Sequence, residues 1–310
     1  MPKPSPHLIA VLQALIVTLL WSTSWVLIKI GLEDIPALAF AGLRYALAFL
    51  CLLPFALRRE QRASLGRMTG RNWLHLALLG LIMYTITQGA QFLGLFYLPA
   101  QTTSLLLSFS TVAVAFLGMA LLAERPTAVQ WGGVCLYLGG AIVFFYPAAF
   151  AAGQLTGFII VTVGVLANAG AAVLGRYVNR EARLSPLIVT VVSMGIGSFV
   201  LLVSGVTLQG LPQLSPTSWL IILWLAVVNT AFAFTLWNLT LRTLSAMESS
   251  IVNNTMLIQI AILAWLFLGE NLGAKEITGL SLAALGTLVV QLRGRLWRHL
   301  RVRGANERAS

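Results

Sequence analysis

The sequence predicts an all-α membrane protein: ten transmembrane helices in two inverted five-helix repeats, with both termini cytoplasmic. Three observations predict it. First, 58% of the 310 residues are hydrophobic, only 9% are charged, and mean hydropathy is +0.89, whereas soluble domains carry about 25% charged residues. Second, long unbroken apolar runs recur along the chain. Third, a block in the first half returns in the second at a constant offset.

Spanning lipid by helix takes about 20 apolar residues, because a rise of 1.5 Å per residue must cover roughly 30 Å of hydrocarbon. Ten runs qualify: residues 8–30, 36–57, 73–96, 101–122, 127–146, 155–177, 186–206, 216–240, 246–268 and 273–292. Short loops join them, several marked by proline (Pro36, Pro99, Pro126, Pro186 and Pro216). A transmembrane β-barrel would show short alternating segments instead. The first run follows Lys3 and shows no small-residue cleavage site, so it reads as a retained helix rather than a signal peptide. Cys51 and Cys135 form no metal-binding spacing and read as small core residues. No metal site or cofactor is implied.

Orientation follows from lysine and arginine. With the N-terminus in the cytoplasm, 17 of the 20 basic residues fall in cytoplasmic segments. Lys29 and Lys275 lie on the other side, and Arg44 lies inside a helix. The positive-inside rule then places both termini in the cytoplasm. The net charge of +11 sits in the gaps between apolar runs rather than on one face, which argues against nucleic acid as a partner.

The segment LLAERPTAVQWGGVCLYLGGAIV (121–143) aligns with FLGENLGAKEITGLSLAALGTLV (267–289). Glu124 pairs with Glu270, Gly133 with Gly279 and Gly140 with Gly286, all 146 residues apart; the same offset pairs Ser104 with Ser250 and Ser108 with Asn254. Near the start of each half, Lys29 pairs with Arg176 at 147. The organisation is therefore a first repeat over 1–148, a second over 149–294 and a basic cytoplasmic tail over 295–310. Five helices is an odd number, so the second repeat enters the membrane upside down. Inverted repeats of this kind mark secondary transporters, with a substrate site near the midplane. The paired glycines suit close helix packing.

The first helix with WSTSWVLIK, the arginine in LRYALAFL and the duplicated "LxxE…G" ending resemble the drug/metabolite transporter superfamily, specifically its EamA-type members, over nearly the whole chain. The resemblance implies ten helices around a central cavity lined by both halves, and export of amino acids or other small metabolites. More distant members move nucleotide sugars or sugar phosphates. The small multidrug members carry a glutamate in the first helix for proton-coupled exchange of cations. This first helix has no acid, which argues against that mechanism here.

The candidate substrate residues are Trp21, Trp25, Arg44, Tyr84, Gln88, Ser104, Ser108, Trp237, Ser250 and Asn254. An arginine inside a membrane helix costs about 2.5–3.5 kcal/mol on insertion scales and needs a partner. Arg44, roughly 12 Å from Pro36 along a helix, either offers its fork to a substrate carboxylate or bonds loop carbonyls, Glu33 or Asp34. Ser104, Ser108 and Thr111 share one helix face, and Ser250 and Asn254 share the twin face. Tyr84, Gln88 and Gln91 in the third helix and Thr230 and Trp237 in the eighth, with Asn229 and Asn238 alongside, either bind a small polar ligand with an apolar part or pack the bundle. Trp25 sits near the outer belt, whereas Trp21 is a turn deeper. With Ser22, Thr23 and Ser24 around it, that stretch must be covered by protein or line a cavity. Either it forms part of the outer pathway, with a tryptophan as gate or pocket wall, or its hydroxyls pack tightly.

Protons are the possible coupling ion and Glu248 the coupling candidate, although Ser245-Ala-Met-Glu248 also reads as a capping box. Glu124 and Glu270 read as fold-stabilising helix-end residues, and His75 as interfacial. No nucleophile, metal cluster or acid pair marks an enzyme, no filter motif marks a channel, and no G-x-x-x-x-G-K loop binds ATP. The expected function is a non-enzymatic secondary or facilitative transporter in a bacterial inner membrane, lipid-embedded, acting as a monomer or homodimer and exporting small metabolites, amino acids or related amphoteric compounds, by alternating access through a central cavity. Organic cations, a nucleotide-sugar-like solute, or a non-transport scaffold role are the alternatives.

Overall fold

The computed structural model describes residues 6–58, 61, 65–66, 68–122, 127–146, 152–181, 184–240, 243–244 and 246–306, and all secondary structure among them is helical. Segments that run on through a π turn or a one-residue break are numbered as one helix. They are α1 (Pro6–Gly31), α2 (Ala37–Ala56) and α3 (Gly70–Tyr97, with a π turn at Leu81–Thr87); α4 (Ala100–Ser108 and Ser110–Leu122, broken at Phe109) and α5 (Ala128–Phe145); α6 (Ala152–Glu181) and α7 (Pro186–Gln209); α8 (Pro216–Ala226, a π turn at Val227–Phe232, then Ala233–Thr240), α9 (Ala246–Leu268) and α10 (Ala274–Asn306). Six described stretches, in α1, α2, α3, α5, α6 and α7, are long and apolar enough to cross a membrane by length and composition, and shorter apolar stretches lie in α4, α8 and α9.

Local chemistry sets the ends. Thr69 accepts from the Asn72 amide, and Thr127 forms a reciprocal capping box with Gln130. Ser185 and Ser215 cap α7 and α8, each followed by a proline whose missing N–H costs nothing at a first turn. Gly269, at φ 65°, ends α9 in a left-handed turn that a side chain would strain. One boundary differs from the sequence reading. The basic tail from 295 continues as helix to Asn306, because arginine and leucine are good helix formers.

The packing follows the repeat. α1 packs on α8 and α9, and α6 correspondingly packs on α3 and α4, so each repeat's first helix lies against the other repeat. Two seams join equivalent helices, α2 with α7 and α5 with α10. In the second seam a Cβ on Gly133 would come within 2.9 Å of the Gly286 carbonyl oxygen, and one on Gly140 within 2.6 Å of that of Gly279. Backbone meets backbone there, as small residues permit in membranes.

The π turns begin at Leu81 and Val227, the repeat offset of 146 apart. In each a threonine hydroxyl takes the carbonyl five residues back: Thr87 donates to Ile82 at 2.9 Å and Thr230 to Leu225 at 2.8 Å. Large apolar side chains such as Ile142, Phe199 and Phe267 stand exposed around the bundle, as lipid-facing residues do. Cys135 is exposed among them and Cys51 is half-buried, so neither is core. An apolar run in lipid has an outward face as well as an inward one.

Candidate substrate site

Between the repeats lies a cavity of about 400 Å³, within the usual range for small-molecule sites. Trp21 and Trp25 of α1 line it, with Met83, Thr87, Gln88 and Gln91 of α3. α4 contributes Ser104, Leu107, Ser108, Ser110 and Thr111; α9 contributes Asn253, Asn254, Met256, Leu257 and Ile260. Asn168 of α6 and Thr287 of α10 complete the wall. The α4 and α9 stripes are repeat-related: Leu107 and Asn253, Ser108 and Asn254, Ser110 and Met256, and Thr111 and Leu257 each stand 146 apart, and all eight face the space. Every one of these lining side chains is uncharged.

The structure thus brings together Trp21, Trp25, Gln88, Ser104, Ser108 and Asn254, with Gln91 and Thr111. The Ser250 and Glu248 side chains lie outside the described residues, as do Asn238, Arg176, Glu124 and Ser245. Trp237 does not line the cavity. It packs against Trp21, with ring centroids 5.2 Å apart, and Phe234 lies tilted against Trp21 at the same distance. Tyr84 stands behind the wall, edge-on to Tyr45 at 5.6 Å.

Arg44 is also behind the wall. It is buried, its Nε donates to the Thr230 hydroxyl at 3.3 Å, and its Cζ lies 5.1 Å from the Tyr45 ring centroid. Among the described residues no carboxylate pairs with it, neither Glu33 nor Asp34. Tyr45 in turn donates to Gln88 Oε1 at 2.7 Å. Tyr45 and Gln88 therefore link the guanidinium to the cavity wall.

The WSTSW stretch divides its labour. The indoles form wall, and the hydroxyl residues make the seams. Ser22 Oγ lies 3.0 Å from Gln259 Oε1 of α9, and Asn229 Nδ2 of α8 donates to Ser24 Oγ at 2.7 Å. Trp21 Nε1 donates to the Asn229 carbonyl at 3.1 Å, which fixes its ring. Thr87, Ser110, Asn168, Asn253 and Thr287 escaped the sequence reading. The repeat could have found Asn168, which stands 147 residues after Trp21, and Asn253 adjoins Asn254. His75 meets Tyr177 edge-on at 5.4 Å, away from the cavity.

Residues 8–146 and 155–292 each match the sequence model of the EamA-like transporter family. The uncharacterized transporter YvbV of Bacillus subtilis is 28% identical, with 97% of each chain covered. A probable amino-acid metabolite efflux pump of Escherichia coli is 25% identical over 92% of this chain and 95% of its own. A crystal structure 18% identical superposes with a TM-score of 0.66, covering 92% of this chain and 98% of that one, and shares the fold. Two copies of one family pattern, meeting around one cavity, account for nearly the whole length: the chain belongs to the EamA-like transporter family, as a multi-pass membrane protein.

Proposed function

We propose that this transporter exports small, net-neutral polar metabolites, namely amino acids or related amphoteric compounds, by alternating access through the central cavity. The observation that carries the reading is the cavity wall. It combines amides and hydroxyls from both repeats with two indoles and carries no charged side chain. A net charge left unpaired in such a site would pay for its desolvation, whereas a zwitterion brings its own counter-charge. An organic cation finds no acid there, and a sugar phosphate finds no basic side chain at the wall. The similarity to a relative described as a probable amino-acid metabolite efflux pump agrees with this class.

In this reading all ten helices cross the membrane, both termini face the cytoplasm, and the Lys29 end of α1 faces outward. Tyr45 and Gln88 present the field of Arg44 to the substrate's carboxylate. Gln88 Oε1 accepts from Tyr45, so its Nε2 donors are left for the ligand. The test is efflux from proteoliposomes loaded with labelled amino acids, nucleosides, sugars or organic cations, with and without a pH gradient. Movement of zwitterions ahead of cations supports the reading. Transport of cations alone overturns it, and the gradient arm reports whether protons are coupled.

A further inference from the structure

α4, like α2 at Pro36, starts at a proline and takes its cap from the other repeat; the Leu38 amide of α2 donates to Gln209 Oε1 at 2.8 Å. α3, α5, α7 and α8 begin with their own Thr or Ser cap. α4 begins at Pro99, which supplies no side-chain cap, so its first amides need a partner from elsewhere. Glu270, placed just past the left-handed Gly269 at the end of α9, supplies it. Its carboxylate accepts from the amides of Ala100 and of Gln101, the latter at 3.1 Å. Gln101 Nε2 donates to the Asn271 carbonyl at 2.6 Å. On the adjoining helix end, Lys29 donates to the carbonyls of Leu95 and Leu98. Both charges match the helix ends they touch.

Two further facts turn this cap into a device. The contacts of Glu270 and Asn271 join the second repeat to the first, at the end of α4 lying one turn beyond the cavity: Ala100 is capped, and Ser104 is wall. Leu98 and residues Ala100 to Leu105 are all buried, so protein covers this end of α4. The capped segment is also separable. At Phe109 the ladder breaks, its amide turning to Leu106 at 3.1 Å. The Leu105 carbonyl is taken up instead by the hydroxyls of Ser108, at 2.7 Å, and Tyr137. Interrupted helices line the substrate site in many transporters, whose halves rock against each other around it.

We propose that Ala100–Ser108 is the gate at the Lys29 end of the pathway, latched across the repeats by Glu270 and Gln101 and pivoting at Phe109. The proposal rests on the transport reading, but its test requires no substrate. In the full-length protein with Cys51 and Cys135 replaced by alanine, Ser104→Cys is the reporter, because Ser104 is 5% exposed here. Intact cells are treated with a membrane-impermeant maleimide and the labelling rate is measured. E270Q removes the charge and one acceptor, and is expected to raise the rate about tenfold, as loss of roughly one charge-assisted bond implies. Q101M, which removes only the bond to Asn271, is the second variant and is expected to raise it less. A monodisperse E270Q or Q101M protein that labels at the parent rate overturns the latch, whether or not any solute is transported. Absence of transport with faster labelling would instead remove the transport reading and leave the gate standing.

Discussion

Gln91 and Trp237 occupy the same position in the two repeats, 146 residues apart, yet Gln91 faces the open cavity while Trp237 is closed over by the ring of Trp21, 5.2 Å away. The neighbouring pair behaves alike: Gln88 is cavity wall, and Phe234 packs tilted against Trp21. Equivalent positions therefore see different surroundings in one structure. An alternating-access cycle exchanges such surroundings between the halves.

Trp21 should be separable into ring and handle. Trp21→Phe keeps an aromatic body against Phe234 and Trp237 but loses the bond to the Asn229 carbonyl. It is expected to cost about 1 kcal/mol. Trp21→Ala loses the packing too and is expected to cost about 3 kcal/mol. Thermal denaturation in detergent checks the order, and equal losses would remove the packing role.

Adjacent glycines in α5 give an internal control. A Cβ on Gly139 meets nothing within 4 Å, whereas one on Gly140 meets the Ala283 nitrogen and the Gly279 oxygen at 2.6 Å. Gly139→Ala should be neutral or slightly stabilising, since alanine favours helix by up to about 1 kcal/mol. Gly140→Ala must push backbone from backbone, at a cost of roughly 1–3 kcal/mol. Melting temperatures that fall equally would contradict the α5–α10 seam.

The repeat is what made much of this legible. The polar stripes of α4 and α9 could be read from residue spacing because Ser108 and Asn254 recur at one offset, and both prove to be wall. The helix ends were legible from Ser-Pro and glycine. The asymmetry was not, because a repeat assigns Gln91 and Trp237 the same environment and only one conformation distinguishes them. Arg44 was legible as an intramembrane arginine in need of a partner, but its distance from the cavity depends on Tyr45 lying between them. Cys135 was misread because hydropathy does not distinguish lipid from core.

Tyr45 should act through Gln88. Tyr45→Phe keeps the ring beside Tyr84 and removes one hydrogen bond. Its expected effect is a several-fold rise in KM for a carboxylate-bearing substrate, the size of about 1 kcal/mol. In a Gln88→Ala background the same change should add little. Additive effects in a double-mutant cycle would show that Tyr45 works independently of Gln88.

No lining side chain titrates near neutrality, so substrate affinity should be flat between about pH 6 and 8. Initial-rate measurements at saturating and sub-saturating substrate separate KM from kcat. A KM that shifts tenfold over this range would place an ionisable group in the site.

Solute is expected to pass through the space between the α4 and α9 stripes. Asn253 lines that space and is exposed within it, so bulk added there enters the cavity rather than a packed seam. The deciding measurement is transport by Asn253→Trp beside Asn253→Ala in proteoliposomes, with folding verified by size exclusion. Transport should fall at least tenfold in the tryptophan variant, a loss of about 1.4 kcal/mol or more, and persist in the alanine variant. A folded Asn253→Trp protein that transports at the parent rate would place the pathway elsewhere in the bundle.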